Sequence, residues 1–217
     1  MTARTLESVV GLTGGVGVGK STAAAILAEL GAVVVDCDQL GRLVAEPGGS
    51  AHTALVERFG PSIVSGDGSL DRAALAGIVF NDAAALADLN AITHPAIDAE
   101  IADRIAAAPA GATVVLDMAV LVESDLGAGR YGPVLVIEAP LDQRLERLGR
   151  YRGMTPDDAR ARIASQATDD ERRAVADHVI INDSDVDALR ADLERWWTGR
   201  PTGPDGDARR DRSSPEE

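Results

Sequence analysis

The sequence predicts a three-layer α/β/α fold: a five-stranded, mainly parallel sheet between helices, with an inserted helical subdomain and a helical lid. Three observations carry that expectation. Five short apolar runs of strand length fall at 8–13, 32–36, 113–117, 134–138 and 178–182. Segments of helical periodicity separate them, and alternation of strands with helices builds parallel sheets. The chain has 217 residues, 45% of them hydrophobic, enough to bury one substantial core and still carry an insertion.

Taken in order, Ser8-Val-Val-Gly-Leu-Thr13 reads as a buried strand followed by a glycine-rich loop. Ala23, Ile26, Leu27 and Leu30 then recur on one helical face, and Gly31 ends that helix. Ala32-Val-Val-Val-Asp36 is the second strand. Residues 39–110 read mainly as helices broken at Pro47-Gly-Gly49 and Ser65-Gly-Asp-Gly68, with Asp71 capping one helix and His94-Pro95 interrupting or restarting another. A helical stretch of that length between strands exceeds a crossover and suggests an inserted subdomain. Thr113-Val-Val-Leu-Asp117 and Val134-Leu-Val-Ile-Glu138 are the third and fourth strands. Leu141, Leu145 and Leu148 mark the buried face of the next helix, and Thr155-Pro156 opens another. His178-Val-Ile-Ile-Asn182 is the fifth strand, and Asp185 to Trp197 a last amphipathic helix whose Trp196 and Trp197 pack on the sheet. The expected organisation is one domain over 1–199: a core of 8–38 and 111–199, an insertion of about 39–110, a lid of about 147–170, then a polar, disordered tail over 200–217.

Charge and composition exclude several classes. The net charge is −14, which disfavours duplex nucleic acid as a partner. No apolar run reaches the ~18 residues needed to span a membrane, and the N-terminus lacks a signal-peptide core. Cys37 is the only cysteine, so there is no internal disulfide and no cysteine zinc site. A soluble cytoplasmic protein is expected. Of the 21 basic residues all but Lys20 are arginine, which draws attention to the place where lysine survives.

That place is Gly14-Gly-Val-Gly-Val-Gly-Lys-Ser21, which matches the phosphate-binding pattern G-x-x-x-x-G-K-[ST] between a strand and a helix. Gly14, Gly15, Gly17 and Gly19, with Val16 and Val18 between them, expose backbone N–H groups to phosphate oxygens. The helix that follows, with Lys20, Ser21 and Thr22 in its first turn, adds its positive end. Lys20 places a compact charge at the β- and γ-phosphates, and the Ser21 hydroxyl can ligate Mg²⁺. The guanine-reading Asn-Lys-x-Asp signature is absent, since no second lysine exists. A small ATP-dependent kinase fits the length.

Asp36 and Asp38 follow the second strand at the carboxyl edge of the sheet, where active sites of open α/β folds lie. If the strand continues, both side chains point the same way. Asp38 can accept a proton from an acceptor hydroxyl, or cap the next helix. Asp117 ends the third strand as a second candidate for Mg²⁺, or as a turn residue. Glu123, soon after it, can bind substrate or a basic partner. Arg144, Arg147, Arg150 and Arg152 cluster on the exposed side of one helix and just beyond, where arginine can stabilise a transferring phosphoryl group or merely face solvent. His94 is a candidate base, more readily a cap or core hydrogen-bonder. Cys37 reads as a small buried filler.

These residues, in this order, resemble the dephospho-coenzyme A kinase family. The resemblance rests on Gly11 to Thr22, Val35-Asp-Cys-Asp38 with Arg42, Val44 to Gly48, Leu89 to Pro95 with His94, and Leu121-Val-Glu123. It continues through Arg147-Leu148, Arg162-Ile-Ala-Ser-Gln166 and Ala176-Asp-His-Val-Ile180 with Asn182. It implies a P-loop kinase that uses ATP and Mg²⁺ to phosphorylate the ribose 3′-hydroxyl of dephospho-CoA. By that resemblance Asp38 is the base, Lys20 and Arg147 stabilise the phosphoryl group, the inserted helices with Arg42 and His94 hold the acceptor, and the loop at Asn182 borders the adenine. The chain departs from the family pattern at Ala119-Val-Leu121 and at Ile181. Two other readings suit the phosphate loop: another small-molecule kinase, such as one acting on nucleoside monophosphates, and a nucleotide-gated module without transfer activity.

Overall fold

The structure, a computed structural model, describes residues 6–124 and 126–200. In chain order its main elements are β1 (Val9–Thr13), α1 (Lys20–Glu29), β2 (Val33–Asp36), α2 (Cys37–Leu43), α3 (His52–Phe59), α4 (Arg72–Val79), α5 (Ala83–Ala107), β3 (Val114–Asp117), β4 (Val134–Glu138), α6 (Leu141–Arg152), α7 (Pro156–Ala164), α8 (Asp169–Val175), β5 (His178–Ile181) and α9 (Val186–Gly199). The chain divides into two compact units, one formed by the chain up to Val34 and from Ala108 onward, the other by Val35–Ala107.

The sheet has the order β2-β3-β1-β4-β5, and all of it but the last two residues of β2, Val35 and Asp36, lies in the first unit. β1 runs parallel to β3, with Leu12 opposite Asp117, and parallel to β4, with Thr13 opposite Val136; β4 and β5 are also parallel. Every residue of β1, β3 and β4 is buried, which explains why these strands read as continuous apolar runs rather than alternating ones. Val10, Leu12, Leu135 and Ile137 pack with Ile26 and Leu27 of α1 and with Leu189 and Leu193 of α9, and Trp196 and Trp197 lie half-buried against that cluster. Parallel strands align their ends, so Thr13, Asp117 and Glu138 all reach the same carboxyl edge.

The second unit is mainly helical, α2 to α5. Leu55, Ile63 and Ile101 lie fully buried within it. Arg58 pairs with Asp88 and Arg72 with Glu46, both on the surface, where such pairs add little. Asp71 caps α4 as expected, accepting from Ala73 N at 3.0 Å and Ala74 N at 2.9 Å. Asp71→Ala leaves both donors to water and is expected to cost about 1 kcal/mol, read as a lower urea midpoint at unchanged slope.

Four local expectations are corrected. His94-Pro95 does not break a helix: α5 runs through it with Pro95 inside. Proline removes one N–H of the ladder, but Thr93 Oγ1 donates to Leu89 O at 2.9 Å in the turn before, and Ile97 and Ile101 bury the turns after. The second strand does not continue past Asp36, so Asp36 and Asp38 do not share a strand face. Asp36 is the cap of α2, accepting from Gln39 N at 2.8 Å, and Asp38 lies exposed in that helix's first turn. On α6, Leu148 is buried but Leu141 is 53% exposed, while Arg144, expected to face solvent, is only 4% exposed. Finally, most of the expected tail lies outside the described residues, but Arg200 does not read as tail. Its guanidinium stacks over Trp197 and donates to Thr113 Oγ1 at 2.7 Å.

Candidate active site

The site is built on the turn from β1 into α1. β1 ends at Thr13 and α1 starts at Lys20, so residues 14–19 must reverse direction within six residues. Gly19, with φ +94°, occupies the left-handed region that side chains avoid, and a Cβ there would lie 2.4 Å from Asn182 Nδ2. Gly14 is required by closeness instead: a Cβ would lie 2.5 Å from the carbonyl oxygen of Ile137. Val18 is 1% exposed and anchors the loop in the core. Gly19 caps α1 without any side-chain hydrogen bond, so the first-turn N–H groups of a ten-residue helix remain open to an anion.

Gly14→Ala tests that packing. The backbone of β4 cannot yield as a flexible side chain would, so the loop must move. The expected result is a stability loss of about 1–3 kcal/mol together with loss of measurable ATP binding by calorimetry.

A loop that turns its N–H groups inward presents its carbonyls outward, and buried carbonyls need donors. Three side-chain contacts from α6 and the segment after β5 supply them. Arg144 Nε donates to Val16 O at 3.0 Å. Asn182 Nδ2 donates to Val18 O at 2.8 Å, and Arg147 reaches the same carbonyl at 3.4 Å. Arg147 also donates to Asn182 O at 3.1 Å and to Gln143 Oε1 at 3.0 Å. Desolvation lowers the pKa of Arg144 from the ordinary arginine value, and the nearby Asp169 carboxylate offsets part of that effect.

Lys20 and Asp117 form a largely buried ion pair, with side-chain exposures of 14% and 11%. Parallel register makes this possible: Asp117 stands opposite Leu12 at the strand edge, beside the loop that follows β1. Ser21 and Thr22 are exposed in the first turn of α1. Glu123 holds a basic partner from its own chain, accepting from Arg172 at 2.9 Å and from Ala167 N at 2.9 Å.

The predicted residues thus fall into two sets. Gly14 to Thr22, Asp117, Arg147 and Asn182 come together in the first unit, and Glu123 ties the α7–α8 junction of that unit. Asp38, Arg42 and His94 belong to the helical unit: Asp38 and Arg42 exposed at opposite ends of α2, His94 half-buried within α5. Sequence reasoning gave two residues no role at the loop: Arg144 was visible only as one arginine of four, and Gln166, whose Oε1 accepts from Val16 N at 2.7 Å, only as the end of the Arg162–Gln166 stretch of the family resemblance.

The geometry suits a nucleotide polyphosphate: a glycine loop whose close packing leaves no room for a Cβ at Gly14 or Gly19, an uncapped helix start, a lysine and a carboxylate. Among the described residues no three His, Cys, Asp or Glu side chains converge on a metal. Ser21 and Asp117 could still share Mg²⁺ with phosphate oxygens and water, the usual arrangement for that ion.

Comparison with known proteins agrees with this reading. A dephospho-CoA kinase from Streptomyces avermitilis is 46% identical over 188 residues, covering 87% of this chain and 91% of that protein. A solved structure from Thermus thermophilus superposes with a TM-score of 0.76 at 31% identity, over 88% of this chain and 96% of that one. A dephospho-CoA kinase from Campylobacter jejuni shares the fold, with a TM-score of 0.61 at 23% identity over 92% and 100% of the two chains. The family model for dephospho-CoA kinase matches residues 8–188; the chain belongs to the dephospho-CoA kinase family.

Proposed function

We propose that the protein transfers the γ-phosphoryl group of ATP to the ribose 3′-hydroxyl of dephospho-CoA, giving coenzyme A and ADP, the last step of coenzyme A synthesis. The observation that carries this is the glycine cradle with Lys20 in its mouth, held against Asp117, in a chain of this family. Lys20 supplies a point charge for the β- and γ-phosphates. Ser21 and Asp117 would hold Mg²⁺, which would neutralise phosphate charge. Arg147 steadies the loop and stabilises charge on the phosphoryl group. The segment at Asn182 borders the adenine. Gly14, Gly15, Gly17, Val18, Gly19 and Thr22 offer backbone N–H groups to the phosphates, and Val16, whose N–H goes to Gln166 Oε1, holds the loop between them.

Acceptor binding falls to the helical unit Val35–Ala107, with Arg42 and His94. Asp38 takes the proton of the ribose hydroxyl as its oxygen bonds to phosphorus and the bond to the ADP oxygen breaks. Its place two residues beyond the end of β2 supports that assignment. About residues 147–170, from within α6 through α7 to the start of α8, serve as the lid. No described helix is long and apolar enough to cross a membrane, and we place the enzyme in the cytoplasm.

An acceptor panel tests this reading. ADP release from ATP and Mg²⁺ with dephospho-CoA, and not with nucleoside monophosphates, is the expected result. Release with nucleoside monophosphates favours another small-molecule kinase. ATP binding without acceptor-dependent release favours a binding module.

A further inference from the structure

Val16 lies at the tip of the phosphate loop, and both polar groups of its backbone are held by side chains from elsewhere. Its carbonyl accepts from Arg144 Nε at 3.0 Å, and its N–H donates to Gln166 Oε1 at 2.7 Å. The second contact is unusual for such a loop. An inward N–H is a donor for phosphate, yet here a neutral amide oxygen takes it.

Gln166 is not a loose side chain that happens to reach the loop. It stands two residues after α7, its own N–H donating to Ile163 O at 3.2 Å. The next residue is pinned at both ends: Ala167 N donates to Glu123, and Ala167 O accepts from the buried Arg172. Thr168 then opens α8 with a capping box. Asp169, in the first turn of α8, meets Arg144 at 3.4 Å, closing a circuit from the loop tip through α6 and α8 back to Gln166. Arg172 and Glu123 are themselves paired at 2.9 Å. The base of α7 is therefore bolted to the loop on which the triphosphate rests.

We infer that Gln166 is a positioning residue for phosphoryl transfer: its uncharged side-chain oxygen fixes the loop tip through Val16 N–H without bringing a negative charge to the phosphates. Chemistry selects the residue type. Leucine fills similar space but cannot accept the N–H. Glutamate accepts it at least as well but sets a carboxylate beside the triphosphate. The inference rests on the phosphate-site reading above.

Gln166→Leu and Gln166→Glu separate these features. Each variant is assayed for kcat and KM for ATP, for ATP affinity by calorimetry, and for melting temperature. Gln166→Leu is expected to lose about tenfold or more in kcat/KM, the cost of one transition-state positioning contact, with melting temperature nearly unchanged. Gln166→Glu is expected to keep its melting temperature but to bind ATP at least about tenfold more weakly at low salt, with the deficit shrinking near 0.5 M salt as the charges are screened. If both variants match the wild type within about twofold, the assignment is overturned. If Gln166→Glu binds ATP like the wild type at low salt, the requirement for an uncharged acceptor at the phosphates is overturned, whatever Gln166→Leu does. Should Gln166→Leu fail to fold, Gln166→Glu alone still decides the matter. Absence of ATP binding in the wild type would instead count against the phosphate site itself.

Discussion

Replacing Asp38 with asparagine is expected to lower turnover with dephospho-CoA by about 10² to 10⁴, the usual span for removing a general base, while ATP binding stays nearly intact. A secondary hydroxyl is a poor nucleophile while protonated, and asparagine keeps the size and polarity of aspartate but cannot take the proton. The other three carboxylates near the strand ends are committed elsewhere, Glu138 of them to Arg173, whose Nε donates to it at 2.9 Å. Asp36 spends its side chain on Gln39 N as the cap of α2, and Asp117 holds Lys20. Asp38 is exposed in the first turn of α2, where the helix dipole favours an anion. Steady-state turnover and nucleotide calorimetry together read the outcome. Surviving turnover would move the base elsewhere, and loss of both activities would make Asp38 a metal or structural residue.

Replacing Lys20 with arginine is expected to lower turnover by about 10² or more, the scale for losing a transition-state electrostatic contact. Charge is conserved, so the effect isolates shape. Lys20 is only 14% exposed and reaches Asp117 from the first residue of α1. A compact ammonium fits that mouth and can exchange a carboxylate for phosphate oxygens as ATP arrives. The planar guanidinium is larger and prefers a two-pronged grip on a carboxylate, which would hold it on Asp117 and crowd the cradle. Turnover near the wild-type level in Lys20→Arg would remove Lys20 from the role assigned to it.

The phosphate loop was legible because its chemistry is local. Eight consecutive residues supply the glycines, the helix start, the lysine and the hydroxyl, and the strand before and helix after confirm the context. The five strands were legible for a related reason: buried parallel strands are apolar on both faces. What the sequence concealed acts across distance. Arg144 and Gln166 grip Val16 from 128 and 150 residues away, and nothing in their own neighbourhoods announces a backbone partner.

Periodicity even misassigned Arg144. Its stem runs into the back of the loop because the Val16 carbonyl needs a donor there, a demand that outweighs hydrophobic patterning on a short helix. Leu141 is turned to solvent as a result of the same placement of the helix face. The proline in α5 misled in the opposite sense, since burial of Ile97 and Ile101 after it outweighs the loss of one ladder bond. Asp36 and Asp38 would share a face only on a continuing strand, and the chain enters α2 at Cys37 instead.

The central claim is the position of the new phosphate ester, and phosphorus NMR of the isolated product reads it directly. After incubation of dephospho-CoA with ATP, Mg²⁺ and the enzyme, the account predicts one added phosphomonoester, coupled to the ribose 3′ proton, in step with ADP formed. ADP and inorganic phosphate with the acceptor unchanged, or an ester at any other position, would contradict it.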